Sequence, residues 1–134
     1  MLIRKLDAAR GTARQVFSDT GNWDSVRMLL ANDEVGFSFH ITTLYAGTVN
    51  RMWYKNHLEA VYCVAGRGEI EDLATGEIHP ISDGTLYALD QNDRHVLRVQ
   101  DEMRLICVFN PPCVGGETHD EDGAYPLLAQ PEPA

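Results

Sequence analysis

The apolar residues of this chain come in short runs, broken at roughly ten-residue intervals by glycine, proline or Asn/Asp turn signals. A helix needs an apolar period of about 3.6 residues held over ten or more positions. No clear long stretch of that kind is present, so the runs read as strands. After a turn at Asn22-Trp23-Asp24-Ser25, Val26, Met28 and Leu30 share one strand face and Arg27 and Leu29 the other. Val35–Tyr45 then carries Phe37, Phe39, Ile41 and Thr43 on one face, with Ser38, His40, Thr42 and Leu44 opposite. A further strand from Met52 leads into Glu59. Ala60–Val64 is almost continuously apolar, as for a strand buried on both faces. Gly66-Arg67-Gly68 and Asp83-Gly84 read as turns, and Ala74–Glu77 as a hairpin loop. Thr85–Leu89, His95–Val99 and Met103–Phe109 are the last strands, stopped by Pro111 and Pro112, which cannot donate to a ladder. Residues 1–21 read as an edge strand and a loop. The expected fold is all-β: a small single-domain barrel or jelly roll with few or short helices.

At 134 residues the chain is one domain, residues 1–134, large enough to fold without disulfide staples. Residues from about 128 are expected to form a frayed tail. The formal net charge of −9 excludes two partner classes, because an acidic surface repels nucleic-acid phosphates and anionic membranes alike. No secretory signal and no membrane-length apolar run is visible. The three cysteines form no CxxC pair. Cys63 and Cys107 read as buried thiols and Cys113 as exposed, which suits a reducing cytoplasm.

Two spacings stand out between Gly47 and His95. The first is Gly47, Trp53, Lys55, Glu59 and Gly66; the second is Gly76, Ser82, Gly84, Tyr87 and Gln91. These spacings resemble the two signature motifs of the cupin superfamily. There the first motif supplies two histidines and a glutamate, and the second a third histidine. Here Trp53, Lys55 and Tyr87 stand at the histidine positions, and only Glu59 is kept. Glu59, Tyr87 and His95 are therefore the metal candidates, with Tyr87 and His95 expected to face each other across a hairpin. Carboxylate, phenolate and imidazole form a hard ligand set that leaves positions open for substrate and suits iron, with zinc the alternative. The competing reading makes Tyr87 and His95 core residues with satisfied hydrogen bonds. Four of the five histidines, His40, His57, His95 and His119, lie near the proposed site, while His79 reads as solvated in a turn. Arg27 is a natural clamp for a substrate carboxylate, because its fork matches that geometry. A surface ion pair is the competing reading.

A longer resemblance covers the chain from about Met1 to Leu127. It is carried by Gly21-Asn22-Trp23-Asp24-Ser25, Val35-Gly36-Phe37-Ser38-Phe39, Tyr54-Lys55 with His57, and Glu59-Ala60-Val61. It continues through Gly68-Glu69-Ile70-Glu71, His79-Pro80-Ile81, Leu89-Asp90-Gln91 and Cys107-Val108-Phe109-Asn110-Pro111-Pro112. It ends on Glu117, His119, Asp122-Gly123 and Tyr125-Pro126-Leu127. In these blocks the chain resembles the ectoine synthases, cupin-fold lyases that close N-γ-acetyl-L-2,4-diaminobutyrate to ectoine and water in compatible-solute synthesis. The resemblance implies a homodimer, with iron on Glu59, Tyr87 and His95. It implies a substrate pocket of Trp23, Arg27, Thr42, Tyr54, His57, Phe109, Glu117 and His119. His40 departs from it, standing where an asparagine is usual, and so does the less histidine-rich Asn50–Trp53. Tyr54, His57, Glu117 and His119 are the catalytic acid/base candidates. The alternatives are a cupin dioxygenase or isomerase acting on another substrate, and a non-enzymatic cupin that binds a small solute.

Overall fold

The computed structural model describes residues 1–127, and the tail expected from about residue 128 lies outside the described residues. Its eight strands are β1 (Gln15–Phe17), β2 (Trp23–Leu29), β3 (Ser38–Leu44), β4 (Val49–Trp53), β5 (Leu58–Asp72), β6 (Ile78–Ser82), β7 (Leu86–Leu89) and β8 (Arg94–Asn110). All described pairings are antiparallel. Two strands are long: β5 has 15 residues and β8 has 17. They pair along nearly their whole length, from Leu58↔Asn110 to Asp72↔His95. Their partners change midway. The first half of β5 takes β7 and its second half β6. Correspondingly, the first half of β8 takes β4 and its second half β3. Two packed half-sheets joined by two shared strands make the all-β jelly-roll barrel that the strand pattern predicts.

The shared strands bend where the register shifts, between Cys63 and Gly68. Gly66-Arg67-Gly68 was expected as a turn; it is this bend within β5. Gly66 has φ +98, and a Cβ there would overlap the Glu102 carbonyl of β8. Only glycine accepts both the conformation and the approach. For the same reason His95–Val99 and Met103–Phe109 are one bent strand, not two.

Other expectations are corrected by what each residue packs against. Ala60–Val64 is buried on one face only: Val61 and Cys63 point into the core, while Tyr62 and Val64 are exposed. Trp23 and Ser25 belong to β2 rather than to a turn, and with Arg27 they form its buried inner face. Val26 is buried as well, on the side where the short helix α1 (Leu6–Ala9) packs on β2. The expected edge strand of residues 1–21 is thus a helical turn followed by β1. β4 stops at Trp53, and a turn separates it from Glu59. On β3 the alternation holds, with Ser38, His40 and Leu44 inward. Cys113, expected to be exposed, is fully buried. His79 is solvated as expected, but within β6.

Replacing Gly66 with Ala should destabilise the fold by about 3 kcal/mol or more, because the bend admits no Cβ. Urea unfolding measures this; a loss under 1 kcal/mol would mean that β5 turns by another route.

Candidate active site

Glu59 enters the barrel near the start of β5, between Leu89 of β7 and Phe109 of β8. Burial pushes its carboxyl up to about 8, and a hydrogen bond from the Cys107 thiol offsets part of that. Tyr87 lies on the neighbouring β7, opposite Val61. Burial, then the Glu59 charge, hold its phenol well above the usual range. His95 opens β8, between Met52 of β4 and Asp72 of β5. β7 and β8 share no ladder among the described residues, so Tyr87 and His95 do not face each other across a hairpin; β5 runs between their strands.

The His95 ring is 1% exposed, and burial lowers its pKa. Its Nδ1 lies 3.0 Å from the Asp93 carbonyl oxygen, which only accepts, so Nδ1 carries the proton and donates it. That leaves the Nε2 lone pair buried with no partner. A histidine whose second nitrogen donates to a backbone carbonyl is held as metal-ligating histidines are held. Among the described residues Glu59 likewise has no cationic partner, in keeping with its raised pKa. The donors fit a hard or borderline cation, which would favour the ionised Glu59 carboxylate and supply the partner that His95 lacks. Among the described residues no group of three His, Cys, Asp or Glu side chains could hold a metal ion. A site here therefore has to recruit the Tyr87 phenol. At the first-motif positions, Trp53 lies under the Arg94 guanidinium at 4.0 Å, and Lys55 pairs with Asp122 at 2.5 Å. Trp53 thus packs on the start of β8, while Lys55 and the Trp53 N–H hold the segment after β8.

Glu59 and Tyr87 wall an interior cavity of about 30 Å³, room for about one water molecule. Trp23, Thr42, Tyr54, Phe109 and His119, five of the eight residues that the resemblance assigns to a substrate pocket, line it too; Arg27, His57 and Glu117 do not. Tyr125 completes it. This residue was not singled out for the site, although it sits in one of the resembling blocks. Its ring stacks on His119 at 4.8 Å and packs edge-on or tilted against Trp23, Tyr54 and Phe109. The Tyr54 hydroxyl lies 2.6 Å from His119 Nε2. Burial holds the Tyr54 phenol protonated, far above its ordinary value, so it is the donor. Burial, then the Arg27 charge, lower His119 to about 4, so its ring is neutral and accepts.

The remaining candidates gather behind this cage. Arg27 is fully buried. Its Nη2 donates to the Glu117 carbonyl at 2.8 Å and to the Tyr125 hydroxyl at 3.4 Å, and its Nε to Ser25 Oγ at 3.2 Å. Nη1 has no partner, and Arg27 has no carboxylate partner among the described ion pairs. The surface ion pair is thereby excluded. His40, its cross-strand neighbour, bonds Ser38 Oγ through Nε2 at 3.1 Å, and its Nδ1 is unpaired. His57 packs edge-on against Phe109 and also leaves Nδ1 unpaired. Glu117 differs: its carboxylate accepts the Val114 and Gly115 N–H groups at 2.8 and 2.7 Å, so it fixes the chain after β8.

Burial depresses His40 and His119 below their unfolded value of 6.5. A lowered folded pKa contributes stability that is complete above 6.5 and is lost as pH falls toward the folded value. The melting temperature should therefore drop between pH 6.5 and 4, with His119 alone costing roughly 3 kcal/mol at pH 4. His119→Phe should flatten that fall; an unchanged slope would place the acid sensitivity elsewhere.

The ectoine synthase family model matches residues 1–129. An L-ectoine synthase of Desulfatibacillum aliphaticivorans is 58% identical over 128 residues, 96% of this chain and 98% of that protein. The crystal structure of ectoine synthase from P. lautus superposes with a TM-score of 0.84 at 48% identity, covering 98% of this chain and 94% of that one. A cupin domain from an Enterobacter cloacae regulator is 12% identical and shares the fold alone, at a TM-score of 0.56 over 66% of this chain and 95% of that one. Agreement in sequence over nearly the whole length, on a cupin barrel, places this chain in the ectoine synthase family.

Proposed function

We propose that this chain is a metal-dependent lyase that closes N-γ-acetyl-L-2,4-diaminobutyrate to ectoine with loss of water. Besides family membership, the observation that carries this reading is Arg27: a buried cation whose Nη1 has no partner among the described residues, held against Tyr125 of the cage that Glu59 and Tyr87 also line. A buried charge without a counter-ion is costly, and a substrate carboxylate relieves it.

In the reaction the α-amine nitrogen bonds to the acetamide carbon and the carbon–oxygen bond breaks. The two amine protons leave with that oxygen as water. Glu59, Tyr87 and His95 would hold iron, with zinc as the alternative, and the bound metal would supply Lewis-acid polarisation of the amide. Arg27 with Thr42 and His40 holds the carboxylate, which sets the amine near the carbonyl and supplies part of the acceleration as orientation. Trp23, Phe109 and Tyr125 exclude water, the product of the forward reaction. The Tyr54–His119 pair moves the proton: neutral His119 accepts while the Tyr54 hydroxyl donates. His57 and Glu117 act as positioning residues, since the Glu117 carboxylate is taken up by backbone N–H groups. The cage leaves space for about one water, so the substrate has to displace that water and rearrange side chains of the lining.

The enzyme is further proposed to work in the cytoplasm, under osmotic stress, as a homodimer of one cupin domain per chain. Among the described residues no helix is long and apolar enough to cross a membrane. Leu58, Tyr62 and Val64 of β5 and Leu86 of β7 form an exposed apolar stripe on one sheet face, which supports self-association. Light scattering should give twice the chain mass, and Leu86→Glu should shift it toward monomer; a wild-type monomer rules the dimer out.

Purified, iron-loaded protein given N-γ-acetyl-L-2,4-diaminobutyrate should yield ectoine by chromatography, and the apo protein should not. Glu59→Gln should lose iron and activity together. Arg27→Ala should keep its iron and raise KM at least tenfold. Full turnover without metal would remove the Lewis acid from this mechanism, and unaltered KM would remove Arg27 from the carboxylate.

A further inference from the structure

Tyr87 has a second side. Away from the aromatic cage it lines an open groove of about 290 Å³ together with His95, Asp72, Asp90, Asp93 and His79. No lysine or arginine lines that groove. Asp72 is the cross-strand neighbour of His95. One oxygen of Asp72 accepts the Ala74 N–H at 2.9 Å, and one of Asp93 accepts the Gln91 N–H at 3.3 Å. Each has its other oxygen outside any described hydrogen bond, and Asp90 is exposed. Acidic residues alone would mean little on a chain of net charge −9. What marks this group is His95, a 1% exposed wall of the same groove whose Nε2 has no partner.

Resting on the metal reading of Glu59, Tyr87 and His95, we infer that this groove is the loading site for a divalent cation. Asp72, Asp90 and Asp93 collect the hydrated ion and deliver it to His95 and Tyr87 from the side opposite the substrate. Size separates the two approaches. The groove offers about 290 Å³ of space for water and the cage about 30 Å³, so an ion that keeps its waters has room in the groove and not in the cage. Charge separates them as well. The Arg27 guanidinium lies behind the Tyr125 wall of the cage and disfavours a cation there, whereas three carboxylates draw it into the groove. A substrate carboxylate meets the reverse: the acidic groove repels it and Arg27 attracts it. The metal and the substrate thus reach neighbouring positions by separate entrances of opposite sign.

Cobalt(II) loading of the full-length apo protein tests this, with the rate followed by stopped-flow visible absorbance and the end point by elemental analysis. At low salt Asp72→Asn and Asp90→Asn should each slow association about three- to tenfold, with the same final cobalt content. Asp90→Lys should be slower than Asp90→Asn, and all these differences should shrink in high salt. Asp7→Asn, on α1 outside the groove, should load at the wild-type rate. If Asp72→Asn fails to fold, the exposed Asp90 variants carry the test. Wild-type rates in the Asp90 variants with full cobalt content would overturn the loading groove while leaving the metal site standing. A wild-type protein that takes up no cobalt would overturn both.

Discussion

The pairing of β5 with β8 is the constraint on which the rest of the molecule depends. Each strand serves both half-sheets, so each contributes to both ends of the barrel interior. Glu59 and Phe109 face each other at one end of the ladder, and Asp72 and His95 at the other. In a straight ribbon those ends would stand some 40 Å apart, at about 3.3 Å per residue. The bend at Gly66 and Gly68, together with the matching bend of β8, folds the ribbon back on itself. Tyr87 then becomes a wall common to the cavity that holds Glu59 and the groove that holds His95. Residues from the two ends of one ladder are brought around one phenol.

How much of this was legible in the sequence depended on the kind of signal. Alternation sorted β3 correctly into two faces, but not which of them faces inward: Ser38, His40 and Leu44 are buried, although the opposite face, with Phe37, Phe39 and Ile41, is the more apolar. Proline and the Ala74–Glu77 hairpin marked ends that the structure keeps. The glycines misled, since a left-handed residue serves a turn and a strand bend equally well and the choice depends on the facing backbone. Gly66 meets Glu102, which lies 36 positions away in the chain and is invisible to local pattern. Arg27 left two readings open, because a charged residue on a strand ordinarily marks the solvent face; its full burial excludes the surface ion pair. Ala60–Val64 looked doubly buried because its outer residues are also apolar. As for the candidate site, the spacing singled out Glu59 and Tyr87, while Tyr125 sat in a resembling block without being assigned to the site.

The site's electrostatics rest on groups left incomplete. Arg27 lacks a carboxylate, His95 lacks a partner for Nε2, and His40 and His57 each leave a ring nitrogen unpaired. Buried polar atoms without partners cost on the order of 1–3 kcal/mol each, so four of them in one small barrel are a substantial destabilisation. Folding alone gives no reason to keep them. A ligand that completes them recovers this free energy on binding, and its own anionic and hydrogen-bonding groups are thereby selected.

The rewriting of the metal motifs follows the same logic. With Trp53 and Lys55 in place of histidines, the first-motif strand no longer offers imidazoles to the barrel centre. Trp53 instead packs under Arg94, Lys55 reaches Asp122, and the Trp53 N–H donates to the Gly123 carbonyl at 3.0 Å. All three contacts involve the chain just before or just after the site. Two of them tether the segment that brings His119 and Tyr125 over the cage. Gly123 passes so close to the backbone of Arg51 and Met52 that it leaves no room for a Cβ. Ligand positions given up on β4 thus become anchors for the segment that closes the cage. The aromatic cover over the cage depends on a contact, Lys55 to Asp122, that an imidazole at that position would not make.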